Sequence, residues 1–261
     1  MTGRLEWVDI NGRRLSSCEP DGQDVERHSL PGKPASFAQR RIGGRIIAYR
    51  NRIALLDDRW TEKHSFVPTC IDMERERFND GACDLAGRFW VGTIAVGMQA
   101  PVGGLYRVDP DLSVHRMDSG FAVSNGIAWS PTADRLYHCD THSDAINVHD
   151  FDLSTGEISG KRLFARLKHP DGCATDDEGG LWVAQPGHSQ VVRLDPDGAI
   201  ALTLPLPVRN PSSVTFGGPG RRELFVTSIG AATLSDPSPH AGCLLSTTTR
   251  FRGLPSALFA G

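Results

Sequence analysis

Apolar residues in this chain come in short bursts separated by polar turns, and the bursts recur. Leu5-Glu6-Trp7-Val8, Ile46-Ile47-Ala48-Tyr49, Phe89-Trp90-Val91, Leu136-Tyr137-His138, Leu181-Trp182-Val183 and Leu224-Phe225-Val226 are six such runs. They are too short for helices and rich in β-branched and aromatic residues, so each predicts a strand. A turn position stands before each run: Gly3, Gly44, Gly87, Asp134, Gly179 and Arg222. The spacing is roughly forty-four residues, the period of a propeller blade built from several short strands. Further strands are predicted over 104–108, 145–150 and 190–194. Turn clusters such as Asp109-Pro110-Asp111, Ser154-Thr155-Gly156 and Asp195-Pro196-Asp197-Gly198 separate them. Only 71–77 reads as a turn of helix. The expectation is an all-β, six-bladed β-propeller occupying 1–261 as a single domain. One blade cannot bury both of its faces alone, so neighbouring blades must stack to form the core.

Composition agrees with that picture. A hydrophobic share of 39% suffices for a core, and 28 Gly with 17 Pro suit many tight turns. The net charge of −3 offers no attraction to nucleic acid or to an anionic membrane. The six cysteines form no CxxC pair and are expected to be reduced thiols of a cytoplasmic protein. No apolar run reaches the length of a membrane span.

Candidate chemistry lies at one phase of the repeat. Asn79, Asn125 and Asp171 each stand eight or nine residues before the aligned turn position, and each is close to a glycine. Asn-Gly and Asp-Gly are also ordinary turn dipeptides. Three of them at one phase favour a site, because equivalent positions of successive blades would converge on a central channel. Amide and carboxylate oxygens converging there suit a hard divalent cation. Ser36 and Ser212 or Ser213 hold the same phase elsewhere and read as variation without ligand character. His138, Cys139 and His142 offer soft metal donors, but strand and turn roles are favoured for them. Gly217-Gly218-Pro219-Gly220 lacks the Lys and Ser/Thr of a phosphate loop.

The segment Arg77-Phe78-Asn79-Asp80-Gly81, followed by Asp84 to Thr93, closely resembles the SMP-30/gluconolactonase/regucalcin family. So do Val123-Ser124-Asn125-Gly126-Ile127-Ala128-Trp129-Ser130, Pro170-Asp171-Gly172 and the C-terminal Phe251-Arg252-Gly253-Leu254-Pro255. The resemblance covers essentially the whole chain. It implies a six-bladed propeller that hydrolyses sugar lactones to aldonic acids with one divalent cation, Ca²⁺ first, with Mg²⁺, Mn²⁺, Zn²⁺ or Fe²⁺ as alternatives. It implies Asn125 and Asp171 as metal ligands, with Asn79 facing the metal directly or through water. Asp171 becomes the general base, and Arg77, Asn79 and His142 line the substrate site.

The family's glutamate ligand, which precedes the first Gly-Arg-Leu strand, has no counterpart here. Glu6 and Glu19 are out of phase with it, so the first blade is expected to lack its N-terminal ligand segment. Ala95-Val96-Gly97 carries no acid where a characterised member has one, which leaves the sugar open. The alternative function is a weak or inactive metal-binding propeller acting as a binding module, and a phosphotriesterase-like hydrolase is a third reading. The partner is expected to be a small-molecule lactone, with the protein a monomer or weak homodimer.

Overall fold

The computed structural model describes residues 3–98, 100–230, 233–234 and 236–261. Six antiparallel meanders make it an all-β, six-bladed propeller, with three blades in each of two compact units. The first unit runs to Ser124 and takes in Leu153–Glu157 and Ser256–Gly261. Its first sheet is β1 (Leu5–Asp9), β2 (Arg14–Cys18) and β3 (Glu26–Ser29). Its second is β4 (Pro34–Gln39), β5 (Arg45–Tyr49), β6 (Ile53–Leu56) and β7 (Glu62–Phe66). Its third is β8 (Glu76–Cys83), β9 (Phe89–Ala95), β10 (Gly103–Val108) and β11 (Val114–Phe121).

The second unit is Asn125–Asp152 with Ile158–Pro255. One of its sheets is β12 (Ser124–Trp129), β13 (Arg135–Asp140), β14 (Ala145–Asp152) and β15 (Glu157–Arg166). The next is β16 (Cys173–Thr175), β17 (Leu181–Gln185), β18 (Gln190–Leu194) and β19 (Ile200–Pro205). The last is β20 (Pro211–Gly217), β21 (Glu223–Ser228) and β22 (Leu244–Thr248).

Strands covered on both faces are largely apolar, as β5, β9 and β17 are. β5 is buried at every position. Side chains alternate across a strand, so Ile46 and Ala48 join one cluster with Ile53, Phe78, Phe89 and Val91. Ile47 and Tyr49 join another with Leu15, Leu30 and Ala54. A run with no polar alternation is therefore the signature of a strand sandwiched between sheets. The outer strand β7 is polar and largely exposed. Phe259 belongs to the first-unit core and is fully buried. Its N–H donates to the Gln39 carbonyl at 2.9 Å, and its carbonyl accepts the Arg41 N–H at 2.8 Å.

A recurrent device anchors the turn before the second strand. In the first unit Asp84 Oδ1 accepts the N–H groups of Gly87 and Arg88 at 2.9 and 3.0 Å. Its Oδ2 accepts Arg88 Nε at 2.6 Å and the Trp90 indole at 2.9 Å. In the second unit Asp176 Oδ1 accepts the Gly180 N–H at 2.8 Å. Its Oδ2 accepts Trp182 Nε1 at 2.8 Å and Arg193 Nε at 2.7 Å. Each aspartate lies three residues before the aligned glycine of the repeat.

The helical turn predicted over 71–77 is present as one hydrogen-bonded turn and does not extend into a helix. The Arg75 and Glu76 N–H groups both return to the Asp72 carbonyl, after which Glu76 and Arg77 enter β8. The only helical element among the described residues is the 3₁₀ turn Pro219–Arg221. No helix among them is long and apolar enough to cross a membrane. The cysteines among the described residues are free.

His138 and His149 are buried on β13 and β14. Burial pulls the His138 pKa down to about 3, reinforced by the charges of His149 and Lys161. A folded pKa below the unfolded value of about 6.5 means that the unfolded chain binds more protons between those limits. The His138 contribution is therefore intact above pH ~6.5 and declines as pH falls toward ~3, by about 1.4 kcal/mol per pH unit. His138→Gln is expected to flatten the acid side of the stability profile by about that slope, measured by urea unfolding between pH 6 and 4. Equal slopes in both proteins would show that His138 does not set the acid limit.

Candidate active site

The innermost strands carry β-bulges at the phase singled out in the sequence. In β8, Phe78 pairs with Thr93 and Gly81 with Val91, so Asn79 and Asp80 together oppose one residue. Ahead of β16, Asp171 donates its N–H to the Ala184 carbonyl at 3.0 Å, and the Ala184 N–H returns to Gly172 at 3.1 Å. Register shifts occur also between Pro34 and Ser36 in β4 and between Pro211 and Ser213 in β20. A bulge re-aims the side chain it carries while the rest of the ladder stays paired.

The glycines that follow are not turn residues. Gly81, Gly126 and Gly172 have no positive φ. What they provide is room. A Cβ on Gly81 would meet the Trp90 carbonyl oxygen at 2.7 Å, one on Gly126 the Asp171 carbonyl oxygen at 2.4 Å, and one on Gly172 Ser213 Oγ at 2.3 Å. The Asn-Asp-Gly, Asn-Gly and Asp-Gly motifs are thus places where inner strands press together. The turn reading of these dipeptides does not hold in this fold.

In the second unit the structure brings Asn125 and Asp171 together. Gly126 packs on the Asp171 carbonyl, and Thr141 links the two segments. Asn125 Nδ2 donates to Thr141 Oγ1 at 2.7 Å, and Thr141 Oγ1 donates to the Pro170 carbonyl at 2.6 Å. That bond fixes which way the Asn125 amide faces. Asn125 is buried and Asp171 half-buried. His142 follows Thr141 and is exposed. Asp140, just before, is buried and accepts Ser143 Oγ at 2.5 Å through Oδ2, while its Oδ1 has no partner.

In the first unit Arg77 and Asn79 share β8. Asn79 Nδ2 donates to the Ser124 carbonyl at 2.9 Å, orienting its amide as Asn125's is oriented. Arg77 is half-buried, and desolvation followed by the charge of Arg50 holds its pKa down. Desolvation pushes the Asp80 carboxyl up to about 6, against the lowering pull of the Gly81 N–H that it accepts at 2.8 Å. Ser36 is buried with its Oγ unpartnered, and it lies where a Cβ on Gly81 would approach it to 2.8 Å.

Among the described residues no three His, Cys, Asp or Glu side chains cluster as a metal site. His138 and Cys139 are sealed in the core, so they do not combine with exposed His142 as soft ligands. In the second unit the donor chemistry is the Asp171 carboxylate beside the Asn125 amide. That set fits a hard cation with water completing its coordination. Thr141 was not singled out in the sequence. It follows the repeat strand β13, and only the fold reveals that it ties Asn125 to the carbonyl of Pro170, the residue before Asp171.

The family described as SMP-30/Gluconolactonase/LRE-like region matches residues 1–230. A 6-deoxy-6-sulfogluconolactonase of Pseudomonas putida is 37% identical over 98% of this chain and 91% of its own length. An L-arabinolactonase of Azospirillum brasilense is 35% identical over 100% of this chain and 89% of its own. The crystal structure of a calcium-binding regucalcin from Agrobacterium tumefaciens superposes with a TM-score of 0.90, at 23% identity, over 99% of this chain and 90% of that one.

Proposed function

The chain belongs to the SMP-30/gluconolactonase/LRE-like family, and from that premise we propose that it is a divalent-cation-dependent hydrolase of sugar lactones. The observation that carries this reading is the Thr141 clamp, which holds Asn125 and the segment of Asp171 in fixed relation. Relatives named for a sulfogluconolactone and an arabinolactone support an aldonolactone as the substrate.

Asn125 and Asp171 would hold the cation, with Asn79 contributing directly or through water. When bound, the cation supplies Lewis acidity and charge stabilisation at the lactone carbonyl. Asp171 takes a proton from water as the water oxygen attacks the carbonyl carbon. The ring C–O bond then breaks, and the proton passes to the departing ring oxygen, which becomes the hydroxyl of the aldonic acid. Arg77 and His142 bind the sugar, and Asn79 bonds its hydroxyls. Ca²⁺, Mg²⁺, Mn²⁺, Zn²⁺ and Fe²⁺ are the candidate ions.

The test follows acid release from gluconolactone and arabinolactone after chelation and dialysis. Activity is expected to fall at least about tenfold, the size typical of losing a tuned metal site, and to return with one of those ions. Full activity in the chelated protein would refute the cation requirement, and no turnover under any condition would refute the lactonase reading.

A further inference from the structure

Arg77 is an unusual substrate ligand because its charge is not neutralised. It is half-buried, and its hydrogen bond to a protein atom is a long one, 3.5 Å, to the carbonyl of Phe78. Its charged neighbour is another cation, Arg50. The two are tied by the backbone, since the Phe78 N–H donates to the Arg50 carbonyl at 3.0 Å. Arg50 sits at the tip of the β5–β6 hairpin, where its own N–H donates to the Lys33 carbonyl at 2.9 Å.

The Lys33 side chain leads away from there, its Nζ donating to the Asn11 amide oxygen at 3.1 Å. Among the described residues neither Arg50 nor Arg77 forms an ion pair. No carboxylate figures among the charges acting on Arg77. Buried Ser36 Oγ is unpartnered and lies against Gly81, four residues along β8 from Arg77.

A desolvated guanidinium facing a like charge is costly without an anion. Planar guanidinium groups suit tetrahedral oxyanions, which they bind through paired hydrogen bonds. A neutral lactone supplies hydroxyls but no compensating charge.

We infer that Arg50 and Arg77 form a subsite for an anionic substituent, so that the substrate class is sugar lactones bearing a sulfonate or phosphate away from the ring ester. This rests on the lactonase reading and sharpens it. The carboxylate of the ring-opened product shares the same chemistry and is the competing occupant.

The experiment compares kcat/KM for gluconolactone with and without a C6 sulfonate, in the wild type and in Arg50→Gln. Arg50 is exposed, and a melting curve checks that the variant folds. The wild type is expected to favour the sulfonated lactone at least tenfold. Arg50→Gln should lose at least tenfold more on that substrate than on the neutral one. A C6 phosphate in a parallel series reports whether either oxyanion suffices. Equal losses on both substrates, or no wild-type preference, would overturn the proposal. So would a variant that relieves inhibition by gluconate without altering selectivity, because the pair would then serve the product. If neither lactone is hydrolysed, the functional reading falls, and the subsite is judged by calorimetry with ring-opened C6-sulfonated gluconate. Tighter binding to wild type than to Arg50→Gln sustains it, and equal binding overturns it.

Discussion

Asp171→Ala is expected to abolish lactone hydrolysis, with kcat falling by about 10³-fold or more. The loss of a general base alone accounts for about 10²–10⁴, and the same side chain is the one proposed carboxylate on the cation. The fold should survive. The bulge at Asp171 is held by backbone bonds, from its own N–H to Ala184 and from Ala184 to Gly172, which alanine retains. The check is acid release measured beside a melting curve. A folded variant with more than a tenth of wild-type turnover would remove Asp171 from its role.

Asp176→Ala is expected to produce the largest loss of stability. The side chains of Asp176 and Arg193 are 0% and 7% exposed. Removing the carboxylate strands a buried guanidinium, the Trp182 indole N–H and the Gly180 N–H together. Breaking a buried pair by deleting one partner costs about 3–5 kcal/mol, a fall of about 10 °C in Tm for a chain of this size. Arg193 cannot readily escape, because its guanidinium lies 4.0 Å from the Phe251 ring centroid. Asp177→Ala, at the exposed neighbouring position, is the control and should melt within about 1 °C of wild type, as surface substitutions do. A comparable melt for Asp176→Ala would show that the carboxylate does not hold this turn.

The blade count was legible in the sequence because strands covered on both faces, such as β5 and β17, announce themselves as unbroken apolar runs. The phase of Asn79, Asn125 and Asp171 was legible for the same reason. Their local geometry was not. A bulge changes which residues pair without changing composition, so Asn79-Asp80-Gly81 reads as a turn until Phe78 and Gly81 are seen to pair with Thr93 and Val91. The Thr141 clamp was hidden because it joins segments sixteen and twenty-nine residues away, and no local pattern encodes such a contact. The turn of helix read over 71–77 stops after one turn because the β8 ladder claims Glu76 and Arg77. Asp84 and Asp176 stood at a fixed phase in plain view. Their role depends on an indole six residues on and on an arginine whose position differs between the two blades.

Phe259 closes the first unit's core, yet it is synthesised after every strand of the second. While the ribosome is still extending β22, the cluster around Ile46, Phe78 and Phe89 lacks that ring, and the backbone groups of Gln39 and Arg41 lack the partners it brings. Local strand pairing can proceed during translation, but this part of the core waits for release of the C-terminal segment. Until that later segment arrives, the surface around Ile46, Phe78 and Phe89 stays open to chaperones and to mispairing.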